Sequence, residues 1–348
     1  MKEQLPAAAA HSTQRAFTLV ELLISVVVVT VIIFMVAQLM SNATTLTRAS
    51  SKHIDTDTQA RVVFDRIALD FTQMLKRTDV DCFVKQASVN YPGHSAGHGK
   101  GNHATSGQQL NDQIAVFSQG PGYYPSGAQS PVSLVAYRVN ASPSLPSYLR
   151  LERMGKGLLW NGVSNLTNLN NPNTVYPIVF LPQTIIGIAN AGKMWSDAVN
   201  NPSNATSEDS SYETIGPGVF RFEYYYLLKD GSLTDTPWNI STDPHTSITG
   251  IGLTKVQAIA VSIAVIDPAS RSLVPVSSLF DLASDMEDFQ TPHGHSPVNN
   301  GTGVVEAQWN QAVTDAISAG QTYEGSPFPA AAASAIRIYT RYFDLRTY

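Results

Sequence analysis

The chain has 348 residues, 43% hydrophobic and 14% charged, enough for one large domain or two small ones. Its net charge of −5 lacks the basic excess of a nucleic-acid-binding protein, so no nucleic-acid partner is expected. A single cysteine, Cys82, excludes an intramolecular disulfide and any zinc or iron–sulfur site built from several thiolates.

The average conceals one strong local deviation. Residues 17–40 read FTLVELLISVVVVTVIIFMVAQLM, an apolar run with the single charge Glu21. As a helix it would be roughly 36 Å long, enough to cross a bilayer core with some tilt. A secretory signal has a shorter apolar core and a small-residue cleavage site, and Ser41-Asn42-Ala43-Thr44 makes a poor one. A strand of this length lies far outside the usual range. A charge inside such a helix costs about 2.5–3.5 kcal/mol at mid-bilayer and less near an end. Two readings of Glu21 follow: it snorkels to the interface, or it meets a partner charge in an assembly.

No proline or glycine occurs from Phe17 to Tyr91. Leu46, Ala49, Ala60, Phe64, Ile67, Phe71, Met74 and Leu75 continue the apolar pattern, at helical spacing from Ala60 onward. The sequence therefore predicts one helix from 17 to about 76, with Asp65, Arg66 and Asp70 on its other faces. Residues 41–58, rich in Ser, Thr and Asp, are its weakest part, where it could bend or fray. Beyond Tyr91 the pattern turns to short strands, expected at 114–119, 132–139, 148–153, 177–181, 219–228, 256–266 and 335–343. Phe220, Phe222, Tyr224 and Tyr226 alternate, which predicts a core face with a wet tyrosine rim. Lys229-Asp230-Gly231-Ser232 signals a turn, and 304–317 has helical spacing. A long helix followed by mostly antiparallel strands is an α+β arrangement. Loop-rich insertions are expected near 90–112, 189–218 and 284–303.

The segment Arg15-Ala16-Phe17-Thr18-Leu19-Val20-Glu21, after a short polar leader and before the apolar run, resembles the class III signal of type IV prepilins and type II secretion pseudopilins. The resemblance implies a pilin-like fold: leader 1–16, transmembrane helix 17–40, helical continuation 41–80 and a globular head 81–348. It implies cleavage between Ala16 and Phe17 by a prepilin peptidase and methylation of the new Phe17 amine. Ala16 stands where the family has glycine. For Glu21 it implies pairing with the N-terminal amine of a neighbouring subunit, which a low dielectric would favour. Downstream, Asp65–Phe71, Val135-Ala136-Tyr137-Arg138, Leu151-Glu152-Arg153, Phe220–Tyr224 with Asp230-Gly231, and Val256–Asp267 are similar to the series found in J-type minor pseudopilins and W-type minor pilins. A prepilin-like family encoded in Verru_Chthon cassettes (its C protein) has a similar size and layout.

On this resemblance the chain is a structural and assembly subunit, a minor pseudopilin of a type II secretion-like machine. Expected partners are the peptidase, other pilin-like subunits, the inner-membrane assembly platform and membrane lipid. The expected location is the inner membrane, single-pass, with the leader cytoplasmic and the head periplasmic, then a filament. Lys2 and Arg15 favour this orientation, while Arg48 and Lys52 beyond the span weaken it. The alternatives are a minor type IV pilin for pilus assembly, adhesion or DNA uptake, and a membrane-anchored extracytoplasmic enzyme or binding protein.

No set of acid, base and nucleophile supports an enzyme, and no cofactor is expected. Gly93-His94-Ser95-Ala96-Gly97 matches G-x-S-x-G but lacks the strand and helix that make a nucleophile elbow. Gly97-His98-Gly99-Lys100-Gly101 lacks the residues of a Walker loop. His94, His98, His103, His293 and His295 lie in loops without support for a metal. Asp281, Asp285, Glu287 and Asp288 could hold calcium but lack the regular loop spacing.

Overall fold

The computed structural model describes residues 18–75, 86–87, 111–120, 122, 132–157, 212–234, 256–289 and 302–345. Contacts divide the chain into two compact units, 1–51 and 52–348. Helix α1, Leu19–Thr72, contributes to both. Residues 41–58 are helical throughout, despite their weak propensity.

In the first unit, Leu19–Thr44 is long and apolar enough to cross a membrane, and its side chains are exposed. Its hydroxyls are turned back onto the helix. Ser25 donates to the Glu21 carbonyl (2.6 Å), Thr30 to Val26 (2.8 Å) and Thr44 to Met40 (2.7 Å). These three hydroxyls thus find partners within the segment, as an apolar surrounding favours.

In the second unit, the remainder of α1 buries Ala60, Val63, Phe64, Ile67 and Phe71 in the core. These positions recur at three and four residues, so they share one face. The sequence pattern placed Asp70 on another face; it is buried with this stripe, at 3% exposure. It lies three residues beyond Ile67 and seven beyond Val63, in phase with the core.

Two antiparallel sheets follow. The first has the order β1–β2–β3–β4–β5: Gln86–Ala87, Asp112–Ser118, Ser133–Val139, Leu151–Gly157 and Tyr212–Gly216. The second has the order β7–β6–β8–β9: Leu233–Thr234, Val219–Leu228, Val256–Val265 and Arg337–Asp344. Short helices α2 (Pro268–Arg271), α3 (Val276–Asp285), α4 (Val304–Ala319) and α5 (Ala330–Ala333) fill the connection from β8 to β9. The α+β reading holds, as do the expected strands near 114, 132, 219, 256 and 335. The strand expected at 148–153 starts later, because Ser142–Arg150 is a chain of turns with Leu149 at φ +54°. Tyr212–Gly216, read as part of an insertion, is a strand, and Asp112 opens β2. The strand expected at 177–181 lies outside the described residues.

The wet tyrosine rim expected on β6 is absent. Val219 through Tyr226 are all buried, because β6 has cover on both faces. On one face Phe222, Tyr224 and Tyr226 form a row of ring contacts at 6.4 and 5.8 Å. On the other, Tyr225 stacks on Phe289 at 4.6 Å. The β6 edge facing away from β8 pairs with β7 at Tyr226 and Leu227, and nearer its start it meets the side chains of Asn111 and Asp112. Asn111 accepts from the Phe222 N–H (2.7 Å) and donates to the Phe220 carbonyl (3.3 Å). Asp112 accepts from the Tyr224 N–H (3.0 Å). These bonds satisfy edge groups and tie the two sheets together.

Helix α1 meets the β5–β6 turn closely. The Gly218 N–H donates to Gln59 Oε1 at 2.9 Å. A Cβ there would sit 2.4 Å from the Ile266 carbonyl oxygen. Along β9, Arg337 touches His53, Tyr339 donates to Asp57 and Arg341 pairs with Asp65 at 2.9 Å. Alternate residues of one strand thus meet one side of one helix, at His53, Asp57 and Asp65.

Candidate functional site

The residues singled out at the N-terminus are Ala16, Phe17 and Glu21. Ala16 and Phe17 lie outside the described residues. Glu21 sits in the first turn of α1 with Thr18 just before the helix. The Thr18 N–H and hydroxyl both donate to Glu21 Oε2, at 2.9 and 3.0 Å, and the Glu21 N–H reaches Thr18 Oγ1 at 3.3 Å. This reciprocal pattern is a capping box, which satisfies helix-terminal N–H groups that have no intrahelical acceptor. The T-x-x-E spacing of Thr18 and Glu21 is the sequence signal of this cap. The carboxylate is therefore fixed in place by its own chain. Both side-chain bonds fall on Oε2, which leaves Oε1 open to a further donor.

A second constellation joins three of the five downstream motifs. Asp70 from α1, Tyr137 from β3 and Arg153 from β4 meet in the interior. Arg153 grips Asp70 with two bonds, Nε to Oδ2 at 2.7 Å and Nη2 to Oδ1 at 2.8 Å. The Tyr137 hydroxyl donates to the same Oδ2. Tyr137 faces Arg153 across the β3–β4 register. Burial, and next the Asp70 charge, raise the Tyr137 pKa well above its usual value. Burial opposes the Arg153 charge, yet Asp70 outweighs it and the pKa rises. All three side chains are nearly inaccessible, so this group holds the helix to the sheet.

The four acidic residues considered for calcium do not converge. Asp281 accepts from the Ser326 hydroxyl, and Asp285 accepts from the Tyr323 N–H at 2.9 Å. Asp288 pairs with the fully buried Arg221, and the Glu287 carbonyl accepts from the Trp309 indole at 2.9 Å. Arg221 also donates to the Met286 carbonyl at 3.0 Å and lies 5.1 Å from the Trp309 ring. Residues 286–289 are thus strapped onto β6. Among the described residues no group of three or more His, Cys, Asp or Glu could hold a metal ion. The histidines of the two loops, the G-x-S-x-G match and Cys82 lie outside the described residues.

Comparison with known proteins gives one match, to the prokaryotic N-terminal methylation motif over residues 11–37. No curated protein and no solved structure matches the chain. The motif implies processing by a prepilin peptidase and assembly with other pilins, and it characterises structural subunits. Motif and apolar helix together fit a membrane-anchored protein. The N-terminus thus carries a type IV prepilin-like class III signal, and the chain is pilin- or pseudopilin-like in general character.

Proposed function

We propose that the chain is a minor pseudopilin-like subunit of a type II secretion-like machine, structural rather than enzymatic. A prepilin peptidase would cut between Ala16 and Phe17 and methylate the Phe17 amine. The observation that carries this reading is the capped Glu21 carboxylate at the head of an apolar helix, inside the methylation motif. The capping box turns Glu21 into a preorganised acceptor whose second oxygen can take an incoming ammonium. In a low dielectric that pair gains far more than it would in water. The large unit beyond residue 51 favours a minor subunit over a densely packed major one. A minor type IV pilin shares all these features, and identification of co-purified partners separates the two.

Processing is the direct test. Peptide mass mapping of protein from cells with an active prepilin peptidase should find a mature N-terminus at Phe17 carrying one methyl group. An intact Met1, or cleavage after Ala43, would overturn the reading.

A further inference from the structure

Between the turns of 142–150 and helix α3 lies a half-open cleft of about 520 Å³. Pro143, Leu145, Pro146, Val276 and Phe280 give it a hydrocarbon lining. Two arginines, Arg150 and Arg271, line it as well.

These two half-buried arginines differ from Arg138, Arg153 and Arg221. Arg153 is paired with Asp70, Arg221 with Asp288 and Arg138 with Glu152. Neither Arg150 nor Arg271 has an ion-pair partner among the described residues. Arg150 Nε and Arg271 Nη1 are both buried and without a hydrogen-bond partner. Arg271 Nη2 donates to the carbonyls of Tyr148 (3.1 Å) and Leu149 (3.2 Å). Successive carbonyls converge on one guanidinium because Leu149 lies in the left-handed region, an unfavourable conformation for leucine. Local strain thus holds Arg271 beside a second cation. Burial, and next the Arg150 charge, push the Arg271 pKa down to about 10, so it stays charged at neutral pH. Asp281 also lines the cleft, but its carboxylate accepts from Ser326 and pairs with neither arginine.

Half-buried cations that lack an ion-pair partner and hold buried, unsatisfied N–H groups favour an anion. A concave apolar site of several hundred Å³ with a few convergent polar groups is the usual form of a small-molecule site. We propose that this cleft binds a small apolar carboxylate, an organic acid whose charge is taken by Arg150 and Arg271. Its hydrocarbon part packs on the prolines and Phe280. This site is independent of the N-terminal signal and goes beyond the assembly role.

The test uses the full chain in nonionic detergent and phenylacetate as the probe, with saturation-transfer NMR and calorimetry. Phenylacetate should bind, and phenylacetamide, its uncharged isostere, should bind at least about tenfold more weakly. Arg150→Gln should weaken phenylacetate about tenfold with an unchanged melting temperature, since the Arg150 side chain makes no hydrogen bond among the described residues. Equal binding of acid and amide, no effect of Arg150→Gln, or no binding up to about 10 mM overturns the proposal. Tighter binding of inorganic phosphate than of phenylacetate also overturns it, because the apolar lining would then contribute nothing. N-acetyl-glycyl-phenylalanine binding tenfold tighter than phenylacetate would replace the small-molecule site with a peptide-docking site.

Discussion

Asp285 ends helix α3 with a carboxylate that burial pushes up to a pKa of about 6, while the Tyr323 N–H bond pulls the other way. The nearby charges of Glu324, Asp281 and Asp315 add to the rise. A folded-state pKa above the ordinary carboxylate value means that the native state binds this proton more tightly than the unfolded chain. Stability from this group is therefore greatest below about pH 4 and declines as pH rises toward about 6. Asp285→Asn keeps an acceptor for Tyr323 and should remove that decline, as seen in melting temperatures measured from pH 4 to pH 7. An unchanged profile would mean that Asp285 ionises normally. Arg153 makes a harsher case. Arg153→Met leaves Asp70 buried beside Tyr137, with Arg66 3.7 Å away as the remaining cation. The expected loss is about 3–5 kcal/mol. The double variant Asp70→Leu/Arg153→Met should lose less, because no charge is left stranded. Guanidinium unfolding of the detergent-solubilised chain checks both.

At the level of elements, the approach of α1 to the β5–β6 turn depends on Gly218. A methyl group there would meet the Ile266 carbonyl and Gln59 Oε1, 2.4 and 2.6 Å from the new carbon. Gly218→Ala should cost about 1–3 kcal/mol by overpacking, visible as a lower melting temperature. The elements themselves were unevenly legible in the sequence. β8 is almost continuously apolar and β6 is long and aromatic, but Arg221 and Glu223 give β6 an alternation that masks its second buried face. β5 carries exposed Glu213 and Thr214 in its centre and follows a stretch rich in Asn and Ser, so nothing local marks it as a strand. Its status comes from pairing with β4. The charge of Asp70 points to solvent, whereas its helical phase points to the core. Positions 63, 67, 70 and 74 keep the three–four spacing, and Arg153, 83 residues away, makes burial tolerable. The clasp therefore needed long-range pairing to be seen. The Glu21 cap is local and follows from four adjacent residues.

For the whole molecule, the proposed function assigns membrane residence and assembly to different residues. Leu19–Thr44 supplies apolar surface for insertion, while Glu21 opposes it. Glu21→Leu should leave the protein in the membrane fraction at equal or greater yield and reduce its recovery with other pilin-like subunits. Equal partner recovery would place the drive for assembly in residues 52–348 alone. A reporter fused after Tyr348 should be active only if it functions outside the cytoplasm. Activity of a strictly cytoplasmic reporter at that position would reverse the orientation.

The closure of β6 by Asn111 and Asp112 has a consequence for how copies can join. An open strand edge is a template: any extended segment can dock there, and a chain delivered unfolded across a membrane meets many. Here the template is already read by two side chains, one amide and one carboxylate. Strand donation onto this stretch of β6 is closed off. Replacing Asn111 and Asp112 by alanine would reopen that edge and trade ordered assembly for cross-β aggregation.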